Sequence, residues 1–158
     1  MSSEGIEILL VDDSSADVEL TLHALRQNSM INRIHVARDG AEALNFLFRR
    51  EPFQGRAGEP LPRLVLLDLK MPKVDGLSVL RTLKADPRTR AIPVIILTSS
   101  KEEKDVVKSY DLGANSYIQK PVDFDQFRET VRTLGLYWLL VNQAPPRRFL
   151  DNSTEKSG

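Results

Sequence analysis

Cysteine is absent from the chain, which excludes a disulfide, a thiolate metal site and a cysteine nucleophile. Net charge is absent too: 22 Lys plus Arg balance 22 Asp plus Glu. That balance gives no sign of the overall basic field that non-specific nucleic-acid binding needs, and leaves open only a local basic patch. Aromatics make up only 6% of the residues. No apolar run approaches the roughly 20 residues that cross a bilayer. Residues 1–7 lack the charged, apolar and small-residue regions of a secretory signal. The expected partners therefore include neither nucleic acid nor membrane, and a cytoplasmic location is expected. What is present is ordinary for one globular domain: 158 residues, 41% hydrophobic and 28% charged.

Three short apolar runs stop abruptly on polar residues. Ile6–Val11 stops at Asp12-Asp13, Leu64–Leu67 at Asp68, and Val94–Leu97 at Thr98. Their length and β-branched content predict buried strands of a parallel sheet. Ile31–Ala37 and Ser116–Gln119 are weaker strand candidates. Segments of helical period lie between them. Val18, Leu22 and Leu25 follow a cap at Ser14 or Ser15, and Ala41, Leu44, Phe46 and Leu47 form a second stripe. Leu77, Leu80 and Leu83 mark a third helix, opened by Asp75-Gly76; Val106, Val107 and Tyr110 mark a fourth, ended by Gly113. A fifth begins near Asp123, at capping-box spacing from Gln126, and carries Phe127, Val131, Leu134, Trp138 and Val141. Five β-α alternations predict an α/β fold, a doubly wound five-stranded parallel sheet with helices on both faces. Glu51–Pro62, rich in Pro and Gly, reads as an enlarged loop before the third strand. The domain is expected over residues 1–143, with a polar tail over 144–158 that contains the helix-ending Pro145-Pro146.

In open α/β sheets, ligands bind beyond the carboxyl ends of the strands. Asp12, Asp13, Asp68, Thr98 and Lys120, which follows the last strand candidate, should therefore share one crevice. Clustered carboxylates repel and raise one another's pKa. A divalent cation such as Mg2+ removes the conflict, and a lysine complements it as a point charge for phosphate. The set suits a phosphate oxygen held against a metal beside an Asp nucleophile. Taken singly, each residue has a plainer structural role: Asp12 or Asp13 as a helix cap, Thr98 as a turn residue, Lys120 as a solvated lysine. Only the combination argues for chemistry. His23 and His35 lack companion ligands and read as structural, and Tyr110 reads as a surface or core aromatic.

Val11-Asp12-Asp13, Leu67-Asp68 with Met71-Pro72 and Asp75-Gly76, Leu97-Thr98, and Lys120-Pro121 together resemble the receiver domain of two-component response regulators, the CheY-like (flavodoxin-like) fold. The resemblance covers roughly residues 5 to 140. It implies strand order 2-1-3-4-5 and a phosphoacceptor at Asp68. It also implies Mg2+ (or Mn2+) held by Asp12, Asp13, Asp68 and the Lys70 backbone carbonyl. Thr98, Ser99 and Lys120 would contact the phosphoryl oxygens, Tyr117 would be the aromatic switch, and the Lys120-Pro121 bond would be cis. The implied protein is a phosphoacceptor signalling switch rather than an enzyme, one that promotes its own phosphorylation and dephosphorylation. Its implied partner is a sensor histidine kinase or a histidine phosphotransfer protein.

The Glu51–Pro62 insert, the Ser109-Tyr110 to Tyr117 segment and Tyr137-Trp138-Leu139-Leu140 are similar to small receivers paired with phytochrome-type histidine kinases, bacteriophytochromes among them. Lys70 is a long cation bordering the phosphate and bears on the lifetime of the phosphorylated state. Two other classes compete. A magnesium-dependent hydrolase would carry a second acid two residues after the nucleophile, where Lys70 stands; a degenerate receiver scaffold would lack part of the acidic set. Winding the last helix at about 100° per residue puts Leu136 opposite Phe127, flanked by Leu139 and Leu140. These leucines are expected to form the face of a homodimer.

Overall fold

The structure is a computed structural model that describes residues 7–26, 33–71, 73–99 and 108–136. Five strands form one parallel sheet: β1 (Glu7–Val11), β2 (Arg33–Ala37), β3 (Leu64–Asp68), β4 (Val94–Thr98) and β5 (Ser116–Gln119). Their order is β2-β1-β3-β4-β5, so β1 and β3 lie side by side. The register pairs Val11 with Leu67, and Asp68 with Leu97. Strands β1, β3 and β4 are buried at every position, as continuous apolar runs covered on both faces must be.

The period-2 alternation of side chains divides the core into two layers. Ile8, Leu10, Leu64, Leu66, Ile95, Leu97 and Ile118 share one face with Val18 and Leu25 of α1 (Ser15–Leu25) and with Phe127 and Val131 of the Phe124–Thr133 helix. Leu9, Val11, Val65, Leu67, Val94 and Ile96 share the other with Phe46 and Leu47 of α2 (Gly40–Leu47) and Val79, Leu80 and Leu83 of α3 (Gly76–Ala85). Each of these four helices starts on a side-chain cap: Ser14, Asp39, Asp75 and Asp123 accept from the backbone amides of Asp17, Glu42, Ser78 and Gln126. Residues 108–111 are helical and end in a turn through Gly113, at φ 108°. Val106 and Val107, expected in the same helix, lie outside the described residues.

The insert before β3 is packed, not loose. Around a short 3-10 turn, Gln54–Arg56, Phe53 meets the rings of His35 and Phe46 edge-on, and His35 stacks on Phe46 at 3.9 Å. His35 is thus a structural residue, its pKa lowered by burial. From the same turn, Arg56 forks onto buried Glu7 with bonds of 3.0 and 3.1 Å.

The last helix differs from expectation. It ends at Thr133, because Gly135 takes a left-handed φ of 76°. The amide of Gly135 then donates to the Arg132 carbonyl and that of Leu136 to the Val131 carbonyl, both at 2.9 Å. This pair of bonds is the Schellman stop, which brings the residue after the glycine back onto the helix. Leu136 accordingly packs, partly buried, against the core that holds Val131 and Phe127. It does not point away from the core, as a helix continued through Gly135 would require. Trp138, Leu139, Leu140, Val141 and the tail over 144–158 lie outside the described residues.

Candidate functional site

The strand ends carry the site. Alternation places Asp12 on the parity of Ile8 and Leu10, Asp68 on that of Leu64 and Leu66, and Lys120 on that of Ile118. All three therefore emerge on the side of the sheet covered by α1. Asp12 keeps β-like pairing past the end of β1, its amide donating to the Ala37 carbonyl at 3.0 Å. Its Oδ1 accepts from the Ser14 amide at 3.0 Å, which fixes the carboxylate where the chain turns into α1. Asp12 and Asp68 are buried, whereas Asp13 is exposed. One carboxylate oxygen from each of Asp12, Asp13 and Asp68 lies within 4.8 Å of the others.

Lys120 reaches into this cluster from the end of β5, with its side chain almost fully buried. Its Nζ stands 2.8 Å from Asp12 Oδ2, 3.0 Å from Asp17 Oδ2 and 3.5 Å from Asp68 Oδ2. Asp12 Oδ2 accepts no hydrogen bond of good angle, so the short approach of Lys120 holds it by charge. Burial alone would lower the Lys120 pKa, but the neighbouring carboxylates of Asp12, Asp17 and Asp68 outweigh it and raise it. Asp68 shows the opposite balance. Burial pushes its carboxyl up to about 6; Lys120 works against this and Asp12 adds to it. Three carboxylates gathered beside one lysine at a buried strand end are a setting in which a divalent cation can take up the negative charge.

The loop after β3 is held very close. A Cβ on Gly76 would lie 2.3 Å from the Asp68 carbonyl oxygen, and one on Gly40 would lie 2.0 Å from that of Val74. Only glycine allows α3 to lie against the Asp68–Leu69 backbone and α2 against Val74. Lys70 is exposed, and its backbone amide bonds the Asp68 carboxylate. Thr98 is buried at the end of β4, and its carbonyl accepts from the Lys120 amide at 3.0 Å. Ser99 is exposed beside it. Tyr117 points outward, 42% exposed, and meets Tyr110 edge-on at 6.4 Å. The Lys120-Pro121 peptide bond is cis. Asp17 is the site residue that sequence reasoning passed over, since an acid in the first turn of a helix is already explained by the helix dipole.

Residues 8–132 match the response regulator receiver domain, more than three quarters of the chain.

The chain belongs to the response regulator receiver family.

Its relatives include a probable methanogenesis regulatory protein, FilR2, of Methanothrix harundinacea, 42% identical over 87% of this chain and 86% of the relative. Among solved structures, the bacteriophytochrome response regulator AtBRR is 50% identical, with a TM-score of 0.79 over 89% of this chain and all of that one. The Mn2+-bound form of the response regulator Rcp1 is 35% identical, with a TM-score of 0.71 over 89% of this chain and 99% of that one. Family and site agree on phosphorylation-based two-component signalling. The acidic cluster of this receiver is a donor set able to hold a divalent ion. Among its described residues, no helix is long and apolar enough to cross a membrane.

Proposed function

We propose that this receiver takes a phosphoryl group onto Asp68 from a histidine kinase of the bacteriophytochrome type, or from a histidine phosphotransfer protein, and signals by a change of conformation. The observation that carries this is the placement of Asp68: a buried carboxylate at the end of the central strand, with Lys120 at 3.5 Å and Asp12 and Asp13 alongside. A carboxylate oxygen of Asp68 attacks phosphorus, the P–N bond of the phosphohistidine breaks, and its electron pair returns to the imidazole. Asp12, Asp13, Asp68 and the Lys70 carbonyl are the residues that would hold Mg2+ or Mn2+. Such an ion neutralises charge on the phosphoryl oxygens when bound. Lys120 and the Thr98 hydroxyl, with Ser99 beside it, bind those oxygens. Tyr117, exposed in this state, is placed to turn inward as Thr98 moves, which biases two conformations.

The AtBRR likeness supports the phytochrome assignment of the partner. A homodimer through the end of the last helix loses Leu136 as a contact, and would rest on Leu139 and Leu140. Incubation with Mg2+ and a small phosphodonor, read by intact mass, tests the function. A gain of one phosphoryl group that Asp68→Asn abolishes is expected. Stoichiometric labelling of the Asn variant, or continuous turnover of the donor, contradicts it.

A further inference from the structure

Lys120 is shared among three carboxylates, and its two shortest contacts are to Asp12 and Asp17 rather than to Asp68. The ammonium donates a hydrogen bond to Asp17 Oδ2, while Asp12 and Asp68 meet it through charge at 2.8 and 3.5 Å. A phosphoryl group on Asp68 competes for Lys120 with the two carboxylates that lie closer to it. Asp12 is poorly placed to yield: it is fully buried, and its other oxygen is tied to the Ser14 amide. Asp17 differs in both respects. Its side chain is about one-third exposed at the mouth of the crevice, where water can take over its solvation. As the third residue of α1 it could reach back to the Ser14 amide, but Asp12 already occupies that donor. Its own amide is held by Ser14 Oγ at 3.2 Å, so the helix start is anchored independently of the carboxylate. The Asp17 side chain is thereby left to face a lysine 103 residues further along the chain.

We propose that Asp17 is a positioning residue that holds Lys120 in the resting state and competes with the phosphoryl group for its ammonium. The inference rests on reading Asp68 as the phosphoacceptor. Asp17 then sets how readily Lys120 passes to the phosphoryl group, and so how strongly the phosphorylated state is favoured.

The test is Asp17→Asn in the full chain, titrated calorimetrically with Mg2+ alone, and then with beryllofluoride as a non-covalent phosphoryl mimic at saturating Mg2+. Freeing Lys120 from one charge-assisted bond should tighten beryllofluoride by about fivefold. Mg2+ alone should bind a few-fold more weakly, roughly two to five, because Lys120 then rests on Asp12 and Asp68. A merely structural role for Asp17 would weaken both. Placing Asp17→Asn in a Lys120→Met background should reduce the Mg2+ effect to less than about half, the coupling a double-mutant cycle measures. Unchanged or weaker beryllofluoride binding in Asp17→Asn, or a Mg2+ effect that persists at full size without Lys120, overturns the proposal. A wild type that binds Mg2+ but no beryllofluoride refutes the phosphoacceptor reading, and the role of Asp17 falls with it. Wild-type binding with an indifferent Asp17→Asn removes only the latter.

Discussion

Asp68→Asn should make the metal-free protein more stable at neutral pH, although it removes the residue on which function depends. The Asp68 carboxyl is pushed from an ordinary 3.8 to about 6, chiefly by burial. Because the folded-state pKa is raised, the folded protein favours the protonated acid. The associated stability is complete below about pH 3.8 and is lost as pH rises through about 6. At pH 7.5 the wild type therefore carries a penalty that an uncharged Asn does not. A displacement of about two pH units at about 1.4 kcal/mol each sets a ceiling near 3 kcal/mol. Screening by water at the mouth of the crevice reduces this to about 1.5 kcal/mol. For a domain of this size that is a rise of about 3–6 °C in Tm. Lys120 does not become an unpaired cation in the variant, since Asp12 and Asp17 remain at 2.8 and 3.0 Å. The assay is thermal unfolding of both proteins in EDTA at pH 7.5 and near pH 4, repeated at pH 7.5 with saturating Mg2+. The gap should close near pH 4, and Mg2+ should stabilise the wild type more than the variant. An Asn variant no more stable than wild type at pH 7.5 in EDTA, or a gap that ignores pH, would refute the reasoning.

Further expectations follow from the packing. Gly76→Ala forces a methyl against the Asp68 carbonyl; it should cost about 1–3 kcal/mol and weaken Mg2+ binding, both readable by melts with and without the metal. Arg56→Ala removes the two short bonds on the buried Glu7 carboxylate and leaves Arg33 at the longer distance of 3.9 Å; denaturant unfolding should show a loss of about 1–3 kcal/mol. Gly135→Ala places a side chain at φ 76°, where the helix stops, and should cost about 1 kcal/mol by the same measurement. Leu136→Ala should also destabilise, by about 1–2 kcal/mol, because Leu136 packs on the core; a neutral result would restore it to an outer face.

Sequence by itself determined the layers and the edge on which chemistry sits. Apolar runs ending on Asp12, Asp68 and Thr98 admit few arrangements other than buried parallel strands, since a half-exposed strand would alternate. The helix starts were equally plain at Asp75 and Asp123, where a short polar side chain precedes an apolar stripe. Tertiary structure alone decided three matters. Which carboxylates share Lys120 depends on side-chain parity across β1, β3 and β5 together with the rotation of α1, so Asp17 joins Asp12 and Asp68 across 103 residues of sequence. The need for glycine at positions 40 and 76 comes from the backbones of Val74 and of Asp68–Leu69 lying against them, contacts that no local pattern encodes. The fate of Leu136 turned on Gly135: a helical wheel carries its rotation onward indefinitely, whereas a left-handed residue reverses the chain and returns the next side chain to the core. Local periodicity reports which face of an element is apolar, but the meeting of elements, and so the charge balance of the site, is a property of the packed whole.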